Sequence, residues 1–177
     1  KSGWITTGPR TKQFEKDLSV YNGNPNTLCL NSATAGLEIM LRWFGVKEGD
    51  EVILPAYTYS ATANVVMHCG ATPVLVDVNR DDFNINSAAV EKAITARTKV
   101  IMPVDFGGLP CDYTALMALV NKPAVKSHFK ASTKEQEQLG RIMILSDAAH
   151  SLGAYYKGRH TGVCADVSVF SLKKKKN

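Results

Sequence analysis

The chain has 177 residues, 45% of them hydrophobic, which suits one domain of ordinary size with a sizeable buried core. Its formal net charge is +5, but four of its 21 basic residues form the run at 173–176, and without that run the charge is +1. A basic face spread over the domain is not indicated, which argues against nucleic-acid binding. No apolar run approaches the roughly 18 to 20 residues of a membrane span, and no signal-like amino terminus is recognisable, so we expect a cytoplasmic protein without membrane contact.

Cysteine usage points to the same compartment. Cys29, Cys69, Cys111 and Cys164 are far apart in the sequence, and no two of them form a C-x-x-C pair. We therefore expect reduced, buried thiols rather than disulfides, as in a cytosolic protein.

The first part of the chain predicts helices and strands in alternation. Residues 1–10 form no clear element and indicate an exposed, turn-rich lead-in. Apolar spacing and short apolar runs predict helices at 12–21, 35–44 and 60–68, and strands at 27–30, 51–54 and 73–77.

The second part continues this alternation. Ser87 is predicted to cap a helix that runs to residue 94, and Asp112 to cap a helix at 113–120. Residues 121–140 are rich in Lys, Ser and Glu and predict a surface excursion with one polar helix at 133–139. The strands predicted here are 99–104, 142–145 and 167–170. This pattern predicts an α/β fold, a three-layer sandwich in which a mainly parallel sheet carries helices on both faces.

The strand at 142–145 ends in residues that can do chemistry. Its four consecutive apolar residues are typical of a strand buried on both faces, and Asp147 and His150 follow it directly. Open α/β folds bind ligands at the carboxyl edge of the sheet. Four predicted loops with polar or aromatic residues leave strands toward that edge: 31–34, 55–59, 147–150 and 171–176.

The first two of these loops have two interpretations each. Ser32, Ala33 and Thr34 at a helix start form either an anion site of free N–H groups and hydroxyls or a plain N-cap. The segment lacks the lysine of a P-loop, and no G-x-G-x-x-G motif follows the first strand. Tyr57 and Tyr59 either stack on a planar ligand or pack in the ordinary way.

The last two loops are equally open when taken singly. Asp147 either pairs with a protonated ring nitrogen or caps a helix, and His150 is either its neighbour at a ligand or a turn histidine. Lys176 either forms a Schiff base or belongs to a solvated lysine tail. The segment 105–108 spells Asp-Phe-Gly-Gly and, without a kinase catalytic loop, predicts only a turn. Together, an anion cradle, an aromatic ring, an acid and a lysine are the groups that pyridoxal 5'-phosphate requires.

Longer stretches of the sequence resemble a known family. They match the DegT/DnrJ/EryC1/StrS sugar aminotransferases, which have the type I aminotransferase fold, and they follow the family's order along the chain. The matching stretches are 2–9, 30–35, 49–55, 71–74 and 147–154.

The resemblance implies a role for each candidate residue in binding pyridoxal phosphate, and no metal site. The positions of Ala33 and Thr34 bind the phosphate in such enzymes, and that of Tyr59 stacks on the ring. The position of Asp147 pairs with the pyridine nitrogen, and that of His150 lies near the ring hydroxyl.

The end of the chain matches the family's F-S-F-H-x-x-K-N motif in part. The match implies that Ser171 contacts the phosphate and that Lys176 binds the cofactor covalently. Leu172 and Lys173 replace the usual Phe and His, so the register of Lys176 depends on its spacing and on Asn177.

The resemblance also implies the reaction and the partners. Such enzymes transfer an amino group, here expected from glutamate, to a nucleotide-linked keto sugar, and they work as homodimers that share active sites, with residues 3–9 near the interface. Residues 1–177 would then be the large cofactor-binding domain, expected to be incomplete, with the small carboxyl-terminal domain absent. The alternatives are a sugar dehydratase of the same family, in which histidine replaces the lysine, and a non-catalytic module with this fold.

Overall fold

The structure is a computed structural model that describes residues 7–172. Its α-helices are α1 (Pro9–Asn22), α2 (Ala33–Trp43), α3 (Ser60–His68), α4 (Ser87–Ala93), α5 (Tyr113–Asn121), α6 (Pro123–His128) and α7 (Lys134–Leu139). Its strands are β1 (Glu51–Pro55), β2 (Thr72–Val76), β3 (Thr98–Ile101), β4 (Met143–Asp147), β5 (Tyr155–Tyr156), β6 (Arg159–His160) and β7 (Val167–Val169).

Five of these strands form one sheet in the order β2-β1-β3-β4-β7, and each neighbouring pair is parallel. Successive residues of a strand point to opposite faces, so Leu54 and Leu145 pack under α2 and α3 while Ile53 and Ile144 pack under α4, α5 and α6. Both faces are therefore covered by helices, which confirms the predicted three-layer sandwich. None of the described helices is long and apolar enough to cross a membrane.

The strand that was predicted to be buried on both faces is β4. All five of its residues are buried, because β3 and β7 flank it and helices cover it above and below. A bidentate ion pair between Arg141 and Asp166 holds its start, and Asp166 also accepts the Ile144 N–H at 2.8 Å. The other predicted buried strand, β7, is only half-buried because it lies at the edge of the described sheet.

A close contact brings α2 against β7. A Cβ atom placed on Gly36, in the first turn of α2, would lie 2.8 Å from Cγ1 of Val169. Since real Cβ atoms do not approach so closely, a larger residue here would force the Val169 side chain or the helix to shift. The start of α2 therefore lies near the carboxyl end of β7.

Two predictions near the amino terminus were wrong. The segment 27–30 is not a strand: the N–H of Cys29 donates to the Glu15 carboxylate at 2.8 Å, and Leu28 is exposed. Helix α1 begins at Pro9, inside the predicted lead-in, because proline at the first helical position needs no hydrogen-bond acceptor for its nitrogen.

The remaining differences concern caps and short elements. Asn86, not Ser87, caps α4 and accepts the N–H of Ala89 at 2.9 Å. The stretch 121–140 contains the unpredicted α6 as well as the predicted polar helix α7, because buried Val125 anchors α6 to the core. Strands β5 and β6 form an unpredicted hairpin through a turn in which Lys157 and Gly158 have φ of 49° and 77°. All four cysteines are free thiols, as predicted, and all except Cys29 are buried.

Candidate active site

A cavity of about 530 Å³ opens at the carboxyl edge of the sheet. Residues from all four predicted loops line it, together with residues of the turn after β3. The lining residues from the four loops are Ser32, Ala33, Thr34, Tyr57, Thr58, Tyr59, Asp147, Ala149, His150 and Ser171. The structure therefore brings the described candidate residues to one place.

The start of α2 forms one wall of this cavity. Ser32 is the N-cap, and its Oγ accepts the N–H of Ala35 at 3.1 Å. The plain-cap interpretation is thus correct for Ser32. Ala33 and Thr34 occupy the first two helical positions, whose N–H groups have no acceptor within the helix. These N–H groups and the helix dipole favour an anion at this wall.

Asp147 lies at the end of β4 and is 8% exposed. Its backbone is held by the β3 side, where its N–H donates to Pro103 and its carbonyl accepts the N–H of Asp105. Its carboxylate accepts the Thr62 hydroxyl at 2.9 Å and the Ala149 N–H at 3.3 Å. The next residues form a loop, so the helix-cap interpretation of Asp147 was wrong.

Burial raises the pKa of the Asp147 carboxyl above its ordinary value. The hydrogen bonds from Thr62 and Ala149, and the charge of His150 when it is protonated, lower that pKa in part. The carboxylate form is therefore poorly solvated where it stands, and a cation brought into the cavity would stabilise it.

The aromatic and imidazole candidates lie at the opening of the cavity. Tyr59 immediately precedes α3 and is 80% exposed. Tyr57 packs instead against Phe83 and Phe106, with ring centroids 5.5 and 5.0 Å away. His150 is exposed, on the same loop as Asp147. Tyr57 is nevertheless 53% exposed, so Tyr59 is the more exposed of the two tyrosines and has no packed aromatic neighbour among the described residues.

Ser171 lines the cavity just after β7 and is half-buried. The contact between Gly36 and Val169 keeps this strand end close to the start of α2. Lys176, the predicted covalent ligand, lies outside the described residues.

The sequence did not single out the residues that support Asp147. Thr62 is buried in the first turn of α3, and its hydroxyl lies 2.9 Å from that of Thr58 in the loop before the helix. Because Thr58 lies outside α3, which begins at Ser60, no helical spacing in the sequence pointed to this pair. Asp105 was predicted only as part of a turn, and in the structure it is also completely buried.

Asp105 is part of a buried polar network beneath the cavity. Its Oδ1 accepts the Cys111 N–H at 3.0 Å and the Tyr113 hydroxyl at 2.7 Å, and its Oδ2 accepts the Ser151 hydroxyl at 2.5 Å. Tyr113 also contacts the Ser146 hydroxyl. Burial holds the pKa of the Tyr113 phenol well above its usual range, so it remains a hydroxyl that can donate.

The geometry fits pyridoxal phosphate. The wall at Ala33 and Thr34 offers N–H groups to a phosphate, Asp147 offers a poorly solvated carboxylate to a ring nitrogen, and Tyr59 offers a ring face. The cavity is within the size range of ordinary cofactor sites, which is about 300 to 1,000 Å³.

Comparison with known proteins gives consistent results. A family model, the DegT/DnrJ/EryC1/StrS aminotransferase family, matches residues 1–177. The PLP form of Spr1654 from Streptococcus pneumoniae, a proposed sugar aminotransferase, is 51% identical with a TM-score of 0.94, over 98% of this chain and 44% of that one. The same protein has also been solved in a PMP form, at 51% identity and a TM-score of 0.93, over 97% of this chain and 43% of that one.

A more distant structure agrees. PseC from Helicobacter pylori, an aminotransferase of pseudoaminic acid biosynthesis, is 32% identical with a TM-score of 0.81, over 97% of this chain and 42% of that one. This chain thus spans less than half the length of the solved relatives it matches. The cofactor that these comparisons indicate is pyridoxal phosphate. With the family model matching from end to end, the chain belongs to the DegT/DnrJ/EryC1/StrS aminotransferase family.

Proposed function

We propose that residues 1–177 are the large cofactor-binding domain of a pyridoxal-phosphate-dependent aminotransferase that acts on a sugar. The observation that carries this proposal is the buried carboxylate of Asp147 in a cavity shared with the N–H groups at the start of α2. An acid for the ring nitrogen and a cradle for the phosphate, facing one cavity, match the two ends of this cofactor.

Each described residue has a task in this proposal. The N–H groups of Ala33 and Thr34 and the hydroxyl of Ser171 bind the phosphate, and Tyr59 covers one face of the ring. Asp147 keeps a proton on the ring nitrogen, because a protonated nitrogen relieves the poor solvation of its carboxylate. His150 lies on the same loop as Asp147 and is proposed to sit near the ring hydroxyl.

When bound, the cofactor supplies a ring that withdraws electrons from the carbon that loses a proton. Lys176 is proposed to hold the cofactor covalently and then to move that proton once it is released. The proposed donor is glutamate and the proposed acceptor a nucleotide-linked keto sugar. We propose a homodimer with shared active sites, working in the cytoplasm; the family supports these assignments.

The covalent role of Lys176 is tested by sodium borohydride reduction of the native protein with pyridoxal phosphate, followed by peptide mass spectrometry. We expect a pyridoxyl group on Lys176, unchanged in the matched controls Lys174→Arg and Lys175→Arg and lost in Lys176→Arg. A pyridoxyl group on Lys174 or Lys175 instead would show that this lysine, not Lys176, binds the cofactor covalently. A native protein that binds the cofactor without any label in this run would favour the dehydratase of the same family.

The reaction is tested by a half-reaction with glutamate. We expect glutamate to convert the bound cofactor to its amine form, and a nucleotide-linked keto sugar to reverse the change. Asp147→Asn should bind the cofactor more weakly and slow both directions by at least about tenfold, since it removes the charge that holds the ring proton. A native protein that binds the cofactor but converts it with no amino acid would contradict the proposal.

A further inference from the structure

The turn after β3 (residues 105–108) supports the loop that follows Asp147 (residues 148–151). The N–H of Asp105 donates to the backbone carbonyl of Asp147 at 3.2 Å, and its carboxylate accepts the Ser151 hydroxyl at 2.5 Å. A Cβ atom on Gly108 would lie 2.9 Å from the backbone oxygen of His150, so the turn also packs against the middle of the loop. The turn thus contacts the loop at its beginning, middle and end.

Asp105 is unusual because a carboxyl group is rarely buried completely without a cationic partner. It is completely buried, and among residues 7–172 it forms no ion pair. Three neutral donors satisfy it instead: Cys111 just before α5 and Tyr113 at its start donate to Oδ1, and Ser151 donates to Oδ2. A carboxylate only accepts hydrogen bonds, and each of its two oxygens can accept from a different element. Asp105 thus links the start of α5 to the loop that ends at Ser151.

The loop 148–151 matters because it provides one of the hydrogen-bond donors to the Asp147 carboxylate. The Ala149 N–H, one of the two donors to the Asp147 carboxylate, lies between the points that Asp105 fixes. The Ser151 N–H donates to Ala148 at 3.0 Å, so the end of the loop is tied back to its beginning. A movement of Ser151 would therefore reach the Ala149 N–H and change the direction of the Asp147 carboxylate.

We propose that Asp105 is a positioning residue, which holds the loop 148–151 through Ser151 and so directs the Asp147 carboxylate toward the ring nitrogen of the cofactor. This inference depends on the proposed function, since it acts on the cofactor through Asp147. Preorganised side chains of this kind determine whether a charge-assisted hydrogen bond forms at its full strength.

The test uses two probes that differ in one atom. Pyridoxamine phosphate has a ring nitrogen, and its 1-deaza analogue has a C–H group at the same place. Ser151→Ala removes the hydroxyl that donates to Asp105 at 2.5 Å and that lies 3.5 Å from the Ala148 carbonyl oxygen. In this variant we expect the Kd of pyridoxamine phosphate to rise about tenfold and that of the analogue less than about twofold. An equal loss for both probes, or no loss for either, would overturn the inference.

Substitutions at Asp105 separate the link from general damage to the fold. Asp105→Asn keeps an oxygen for Cys111 and Tyr113 and offers an amide donor to the Ser151 oxygen, so both Kd values should stay within about threefold of wild type. Asp105→Ala should discriminate between the probes as Ser151→Ala does. If Asp105→Ala does not fold, Ser151→Ala with Asp105→Asn decides the question.

Two further variants complete the design. Ser127→Ala is a matched control, because Ser127 is exposed and its hydroxyl contacts only the backbone of α6; it should change neither Kd. Asp147→Asn must weaken pyridoxamine phosphate more than the analogue if the proposed function holds. If Asp147→Asn weakens pyridoxamine phosphate more than the analogue but Ser151→Ala does not, the role of Asp105 is refuted and that of Asp147 stands. If neither variant distinguishes the two probes, the role of Asp147 is refuted as well.

Discussion

The hydrogen bond from Thr62 to Asp147 gives the sharpest test of the site's electrostatics. Thr62→Val removes the hydroxyl while keeping the shape of the side chain. Thr62 is 1% exposed, so we expect water not to replace the lost donor. The Asp147 carboxylate would then keep the Ala149 N–H as its remaining donor among the described residues.

The size of the effect follows from this geometry. The bond is 2.9 Å long and its acceptor is 8% exposed, so it belongs to the class of buried hydrogen bonds to a charged group. Such bonds are worth about 1.5 to 3 kcal/mol. Because the hydroxyl stabilises the charged form, its loss should raise the pKa of Asp147 and lower the acid dissociation constant about 10- to 150-fold.

The measurement is the titration of the Asp147 carboxyl by carbon-13 NMR in the native protein without cofactor. Asp147→Asn identifies the resonance by removing it. Thr58→Val is the matched control, since the Thr58 hydroxyl lies 2.9 Å from that of Thr62 but makes no hydrogen bond to Asp147. We expect Thr62→Val to move the midpoint to higher pH and Thr58→Val to move it much less.

The reasoning would be refuted by an unchanged or lowered midpoint in a folded Thr62→Val protein. It would also fail if Thr58→Val and Thr62→Val moved the midpoint equally, because the effect would then not come from the direct hydrogen bond.

Three further predictions follow from the structure. The pKa of Asp147 is higher in the folded protein than its unfolded value near 3.9, so ionisation of this carboxyl lowers the stability of the fold as the pH rises through these two values. Asp147→Asn should therefore melt at a higher temperature than wild type at pH 7. This difference should vanish below about pH 4, where the carboxyl is protonated in both states. Gly108→Ala should cost about 1 to 3 kcal/mol in urea unfolding, because its Cβ would clash with the His150 oxygen at a φ of 91°. Arg141→Met should cost about 1 to 3 kcal/mol, since the Asp166 carboxylate, whose side chain is only 16% exposed, loses both hydrogen bonds from its cation.

Each of these predictions has its own control. Gly107→Ala, at a φ of 61° with no atom within 4 Å of the added Cβ, should cost clearly less than Gly108→Ala; equal costs would mean that the backbone angle alone matters. Arg141→Met combined with Asp166→Leu should recover much of the lost stability, and no recovery would contradict the unpaired-charge explanation. A stabilisation by Asp147→Asn that is the same at all pH values would contradict the linkage argument.

The sheet and its order of layers could be predicted because they depend on local patterns. Strand β4 was found from four consecutive apolar residues, and Asp112 was correctly predicted as the cap of α5, where it accepts the Ala115 N–H at 3.0 Å. The segment 27–30 has a similar apolar pattern, but its backbone found a side-chain partner in Glu15 instead of a neighbouring strand. A pattern shows that a segment can be a strand, and only the tertiary structure supplies the partner.

The candidate site was predictable to the same degree. Asp147 and His150 stood out because they follow a buried strand, and the start of α2 stood out from its small polar residues. Asp105 also follows a strand, but the partner that makes it important, Ser151, is 46 residues away. No local pattern reports a hydrogen bond across that distance, so the support of the site could be found only from the structure.

The glycine at position 36 has a consequence for evolution within this fold. The distance between α2 and β7 depends on one absent methyl group, since a Cβ atom at Gly36 would lie 2.8 Å from Cγ1 of the Val169 side chain. In a Gly36→Ala variant, either the Val169 side chain must turn away or the start of α2 must move away from the end of β7. Neither Gly36 nor Val169 lines the cavity of the candidate site. The position of the Ala33 and Thr34 N–H groups relative to Ser171 therefore depends on a residue that has no side chain and does not line the cavity.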